Sequence, residues 1–241
     1  MRGIAVSASL LVAAAGLLGS TLTAQAYDAV SVTDGGSIKG KVVWNGIVPP
    51  KRKVVPTKDR EVCGSGVREV DQILIGADKT VQEAVVYLKA VEKGKAFPKL
   101  AKTPEIDNVK CDFNPHVMVM PVGDLVVVNT DPVLHNTKSF IDRVPIFNLA
   151  LPNQGQRITR PIKKSGIMRV ECDAHGWMLG WVYVADNPYY AITTKDGTFS
   201  IADIPPGNYT LVAWQEFTGP TETPITIKAK EASTVTVELK K

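Results

Sequence analysis

The stretch Met168-Arg169-Val170-Glu171-Cys172-Asp173-Ala174-His175-Gly176-Trp177-Met178-Leu179-Gly180-Trp181-Val182-Tyr183-Val184-Ala185 decides how the chain is read. Gly166 to Glu171 and Trp181 to Ala185 are rich in β-branched and aromatic residues, so both flanks read as strands. The loop between them holds a thiol, an imidazole and a thioether. Outward from this loop the same texture recurs. Ser37 to Trp44 ends in the turn signal Asn45-Gly46, followed by Gln72 to Ile75, Ala84 to Val91, His116 to Met120 and Leu125 to Asn129. Beyond the loop come Gly197 to Ile201, Tyr209 to Trp214, Thr223 to Lys228 and Thr234 to Leu239. Each is short and bounded by Gly, Pro, Asn or Asp, and no segment keeps a helical apolar period for three turns. The chain reads as all-β, built as sandwiches or barrels.

Cys172, His175 and Met178 are metal donors at a tight spacing on one strand-to-strand loop. Copper cycling between two oxidation states needs soft sulfur for one and imidazole nitrogen for the other. Two His and one Cys with a weak axial Met meet that need. The missing imidazole is offered by His135, in Asn129-Thr130-Asp131-Pro132-Val133-Leu134-His135-Asn136. With Phe113-Asn114-Pro115, His116 to Met120 and Gly123 to Asn129 ahead of it, this pattern resembles the cupredoxins over about residues 72 to 186. The Cys-x-x-His-x-x-Met spacing is similar to that of amicyanin. The resemblance implies a Greek-key β-sandwich with His135, Cys172, His175 and Met178 as copper ligands. It also implies that the Asn136 amide ties the two ligand loops together. Taken alone Met178 reads as a core filler, but the order His…Cys-x-x-His-x-x-Met in a strand-rich chain reverses that in favour of a ligand; His116, the remaining histidine, reads as structural or surface. Zinc fits less well, because thioether is not among its usual ligands. A thiol nucleophile is poorly supported, since no oxyanion-loop signature accompanies the Cys-His pair. No enzymatic activity is expected.

Thr194-Lys195-Asp196-Gly197-Thr198-Phe199-Ser200-Ile201, followed by Ile204-Pro205-Pro206-Gly207-Asn208-Tyr209-Thr210-Leu211, forms a second pattern. Asp196-Gly197 suits a turn at positive φ, and Phe199, Ile201, Tyr209 and Leu211 alternate at period two. It resembles the carboxypeptidase regulatory-like, transthyretin-type sandwich, which implies a smaller second sandwich over residues 187 to 241 without catalytic groups. Gly40 to Gly46 either is the first strand of that sandwich or edges the copper-bearing one, so residues 27 to 71 are an N-terminal segment of open assignment.

Arg2, the apolar run Ile4 to Gly19 and Ala24-Gln25-Ala26 read as a signal peptide over residues 1 to 26, cleaved after Ala26. A membrane anchor is the rival reading, but the run is short for one. The expected location is therefore periplasmic or secreted, without stable membrane insertion. There thiols pair, and three cysteines leave one over. The expected arrangement is a Cys63–Cys111 disulfide with Cys172 on the metal; pairing of Cys172 with either would remove the thiolate. The net charge of +4 is spread over short basic pieces such as Lys51-Arg52-Lys53, so nucleic acid is not an expected partner.

The expected function is one-electron transfer with a redox partner protein, the electron passing at the His175 ring edge beside an apolar patch of Trp177, Leu179 and Trp181; Trp177 reads equally, and Trp181 more readily, as core packing. Two other classes remain: copper handling without electron transfer, and an interaction module with a structural metal.

Overall fold

The computed structural model describes residues 27–241, so the signal-peptide reading of residues 1–26 lies outside the described residues. The regular structure of the described chain is almost entirely strand, in two packed sandwiches. None of its helices is long and apolar enough to cross a membrane.

The first sandwich spans the ligand motifs. Its larger sheet runs in the order Val144–Leu151, His135–Ile141, Gly166–Cys172, Leu179–Ala185, Val117–Pro121. The facing sheet runs Gln156–Ile162, Gly123–Asn129, Glu105–Val109, Asp112–Asn114. Each sheet contains one parallel pairing, Leu179–Ala185 with Val117–Pro121 and Gly123–Asn129 with Glu105–Val109; the rest is antiparallel. Along His135–Ile141 burial alternates strictly, with His135, Thr137, Ser139 and Ile141 inward. Ile106, Leu125, Val127, Met168, Val170, Val182 and Val184 complete the core between the sheets.

The second sandwich faces Tyr190–Ile192, Val85–Lys89, Gly207–Gln215 and Gly219–Ile227 against Thr198–Ile204, Gly36–Trp44 and Ala232–Leu239. Its core holds Ile38, Val42, Val86, Leu88, Tyr189, Phe199, Ile201, Leu211 and Val237. Two assignments follow. Gly36–Trp44 is the central strand of its sheet, between Thr198–Ile204 and Ala232–Leu239. The copper-bearing unit read as 72–186 is corrected at its start. Val85–Lys89 pairs with Thr210 to Trp214, and Val86 and Leu88 fill the second core. Both faces of that strand are apolar, which is why its pattern alone does not say which core it enters. Gln72 to Ile75, expected as a strand, contributes only an isolated bridge from Ile75 to Val81. The Asp196-Gly197 turn forms as expected, with Gly197 at φ 68. A Cβ there would lie 2.9 Å from the Val42 carbonyl, so the turn needs glycine for space as well as for backbone sign.

The sandwiches share a third apolar cluster of Val85, Tyr183, Ala185 and Trp214, flanked by Tyr87, Val117, Val119 and Trp181. Tyr87 stacks on Tyr183 at 4.3 Å and Trp181 meets Trp214 at 5.0 Å. Trp181 thus packs between the sandwiches, in the core role that the sequence favours for it.

Candidate metal centre

Three elements bring the donors together. His135 opens its strand, pointing into the sandwich; Cys172 closes the neighbouring strand; His175 lies in the turn that follows, closed by the Met178 N–H donating to the His175 carbonyl at 2.9 Å. Cys172 Sγ lies 3.7 Å from Nδ1 of both His135 and His175, and the two Nδ1 atoms are 3.1 Å apart. Both imidazoles have no exposed surface, and Cys172 and Met178 are buried. Cys172 is a free thiol, and Cys63 and Cys111 are joined in a disulfide.

Each imidazole is oriented from its far side by a carboxylate. His135 Nε2 donates to Asp131 Oδ2 at 3.0 Å, and His175 Nε2 donates to Asp59 Oδ2 at 2.8 Å. A carboxylate accepts only from a protonated nitrogen, so a neutral ring held this way leaves its Nδ1 as a bare acceptor. Two Nδ1 atoms then face each other at 3.1 Å beside a sulfur, an arrangement that a cation shared between them would satisfy. The spacing fits such an ion. Metal–N bonds of about 2.0 Å and a metal–S bond of about 2.3 Å place N and S roughly 3.7 Å apart at an angle near 120°, and the two N roughly 3.1 Å apart at an N–metal–N angle near 100°. The donor set, one thiolate and two imidazoles with a thioether in the same core, is the one copper favours.

The surroundings hold this geometry. Asn129 Nδ2 donates to the carbonyls of Val133 and Leu151, each at 2.9 Å, and Asn129 Oδ1 accepts from the Asp131 N–H at 3.0 Å. Asp131 in turn accepts the N–H groups of Lys110 at 2.7 Å and Cys111 at 2.8 Å. Beneath the donors, Thr137 donates to Asn108 Oδ1 at 3.1 Å, and Asn108 Nδ2 donates to the Val128 carbonyl at 2.6 Å, tying the two sheets together. Asn136 links the ligand loops through its backbone. Its N–H points at Cys172 Sγ at 3.5 Å and its carbonyl accepts from the Asp173 N–H at 3.1 Å, while its side-chain oxygen has no partner. Burial pushes the Cys172 thiol up against the opposing pull of backbone N–H groups of Asn136, His175 and Ala174. Burial pulls His135 below its ordinary value, outweighing Asp131. The metal-free site thus favours a thiol and a neutral imidazole.

Other expected roles shift. The His175 edge, read as the electron port, is closed by Asp59 and buried. Trp177 lies against it at a ring distance of 5.1 Å and donates from Nε1 to the Cys111 carbonyl at 3.1 Å, so it supports the site from within. His116 stands at the junction of the sandwiches. Its Nδ1 donates to the Leu179 carbonyl at 3.0 Å and its Nε2 to Glu216 Oε1 at 2.8 Å. The sequence reading missed Asp131 and Asp59. Asp131 had a local signal, an acid four residues before His135; Asp59, far away in sequence, had none beyond its closeness to Cys63.

The fold and the cluster define a class: an all-β, two-sandwich protein with a buried Cys-His-His donor set. The family described as polysaccharide lyase family 4, domain II matches residues 165–235, from the Cys172 strand into the second sandwich. No curated protein sequence matches the chain significantly. Among solved structures, a purple cupredoxin from Nitrosopumilus maritimus is 27% identical, covering 34% of this chain and 99% of its own, with a TM-score of 0.30. A copper-containing nitrite reductase from Thermus scotoductus is 24% identical over 41% of this chain and 25% of its own, with a TM-score of 0.31. A reduced Cu(I) amicyanin variant is 17% identical over 42% of this chain and 98% of its own, with a TM-score of 0.32.

Proposed function

We propose that this is an exported copper protein of the cupredoxin kind that carries one electron, with His135, Cys172 and His175 holding the ion and Met178 as a weak fourth ligand. The observation that carries the reading is the pair of carboxylate-oriented imidazoles turning two bare Nδ1 atoms toward one thiol within 3.7 Å. Bound copper would supply a one-electron couple. The chain's own work is to hold the donors in one arrangement for both oxidation states and to keep water out. Asp131 and Asp59 fix the ring orientations, the Asn136 N–H faces the sulfur, and the surrounding core is apolar. Such orienting bonds are as much part of a metal site as the ligands. No substrate position is needed, so the protein is not an enzyme on this reading. The second sandwich serves as a scaffold.

A second reading is copper handling without electron transfer. The coverage of the His175 edge by Asp59 favours it, because the route nearest the site is closed to a partner. One experiment separates them. Copper-loaded protein with reversible oxidation and reduction, and an intense thiolate-to-Cu(II) absorption lost in Cys172→Ser, supports the carrier. Tight Cu(I) binding with no coloured oxidised form overturns it in favour of handling.

A further inference from the structure

After Trp44 the chain leaves the second sandwich, and it re-enters that core at Ile73. The excursion between them is a strap. Arg52–Val54 pairs antiparallel with Arg68–Val70 to form its base, and the helical turn Arg60–Cys63 forms its tip. The tip lies on the candidate metal centre. Asp59, in left-handed backbone at φ 48, directs its carboxylate to His175 Nε2 at 2.8 Å. The sulfurs of Cys63 and Cys111 and a ring nitrogen of His175 all lie within 4.8 Å of one another. Val62 packs against the first sandwich's core, and Arg68 pairs with Asp112 at 2.6 Å.

These ties are unequal. The Arg68–Asp112 pair is partly solvated, and such pairs contribute little. A two-stranded ribbon is marginal by itself. The strap's apolar side chains are largely turned outward, since Val55, Val67 and Val70 are exposed while Val54 and Cys63 are buried. The Cys63–Cys111 bond is the covalent tie, and it sits at the tip.

We propose that residues 52–70 are a disulfide-locked cover over His175, and that thiol–disulfide exchange at Cys63–Cys111 opens the imidazole edge to a partner. Exchange has one favoured entry. Cys111 has no exposed surface, whereas Cys63 is 4% exposed and is followed by Gly64-Ser65-Gly66, all exposed. A thiolate of a dithiol reductant attacks Cys63 Sγ, forming a mixed disulfide and releasing Cys111 as a thiolate that takes up a proton. The second thiol of the reductant then displaces Cys63. Two protein thiols and the oxidised reductant result. Without the bond, Asp59 and Val62 are left to hold the tip, and His175 becomes reachable while His135 stays enclosed beneath Asp131. The functional meaning rests on the copper reading above; the opening itself does not.

The test uses metal-free protein spanning residues 27–241. Wild type and Cys63→Ala/Cys111→Ala are treated with diethylpyrocarbonate, and carbethoxylation of His116, His135 and His175 is followed by peptide mass spectrometry. In wild type both ligand histidines are protected, since neither has exposed surface. In the double variant His175 reacts about tenfold faster or more, the size expected for local opening, with His135 still protected. Unchanged protection of His175 overturns the cover. Equal gains at His135 and His175 overturn it too, because they signify loss of the whole sandwich. Reducing wild type with dithiothreitol, followed by removal of the reductant, should reproduce the double variant. A parallel copper titration separates the two inferences: a chain that binds no copper sinks the proposed function, while the carbethoxylation pattern decides the cover.

Discussion

Replacing Asp131 by Asn keeps the shape of a buried side chain and changes only what it can accept. In the native site one oxygen takes the Lys110 N–H at 2.7 Å, and the other takes the Cys111 N–H at 2.8 Å and His135 Nε2–H at 3.0 Å. An amide has one acceptor oxygen. If it keeps the Lys110 bond, its NH₂ faces Cys111 N–H and His135 Nε2. The ring then relieves the conflict by moving its proton to Nδ1. That proton points at His175 Nδ1, 3.1 Å away, which makes a good hydrogen bond where the metal should be. The apo protein loses the accepted Cys111 N–H and the charge assistance of the others, a cost of about 1–3 kcal/mol. Copper binding must break the new Nδ1–H bond and restore the other tautomer. The expected loss is about 10–100-fold in affinity, the range for removing a residue that orients a metal-bound histidine. Competition with a Cu(I) chelator reads the affinity, and urea unfolding of metal-free protein reads the stability. Binding of copper by Asp131→Asn within about twofold of wild type would refute the tautomer argument, since RT ln 2 is too small to contain a proton relocation.

Other consequences follow from the junction and the turn. His116 faces an acceptor from each ring nitrogen. Burial lowers its pKa, but the bond to Glu216 and that residue's charge outweigh it, so the net shift is upward; Glu216 is net lowered, with His116, Trp181 and Arg52 opposing its burial. The raised histidine contributes stability below its unfolded value near 6.5, lost as pH rises through its folded value. The lowered acid contributes above its unfolded value near 4.5, lost as pH falls through its own folded value. The junction should therefore be firmest in the mildly acidic range between the two, and Glu216→Gln should lower Tm there and flatten its decline on either side. Trp214→Ala should cost about 3–5 kcal/mol, the range for deleting a buried aromatic, and loosen both sandwiches together in hydrogen exchange. Independent melting of the two would contradict a shared interface. Gly197→Ala should destabilise by more than about 1 kcal/mol, because positive φ and the Val42 carbonyl at 2.9 Å oppose it together. An unchanged Tm would show that the turn relaxes freely.

Strands with one apolar face and clear punctuation were legible, such as Gly166–Cys172 and Thr198–Ile204. Strands carrying charge or proline along an exposed face were not. Gln156–Ile162 has Arg157, Arg160 and Pro161 among its residues, and Val144–Leu151 carries its polar Asn148 outward. Both lie at sheet edges, where one row of backbone groups is unpaired and charges or proline are tolerated. At the site, Cys172, His175 and Met178 share one loop and were readable from spacing. His135 needed its strand context. Asp59 was beyond reach because its position depends on a long excursion and a disulfide, neither of which leaves a periodic trace.

The route of the chain gives that excursion its logic. Gly36–Trp44 is built into the second sandwich, the strap crosses to the metal centre, and Val85–Lys89 returns to the second sandwich. The cover is therefore anchored at both ends in the second sandwich, not in the one that holds the Cys-His-His cluster. From the other side, Glu216 of that module accepts from His116 and Trp181, and His116 holds the Leu179 carbonyl just after the ligand loop. The second sandwich thus grips the metal loop on one side and carries its cover on the other. A simple appended domain would need neither connection. An interleaved one sets the position of the cover against the ligands, so that a change of a single sulfur–sulfur bond at the tip moves the cover without moving the site.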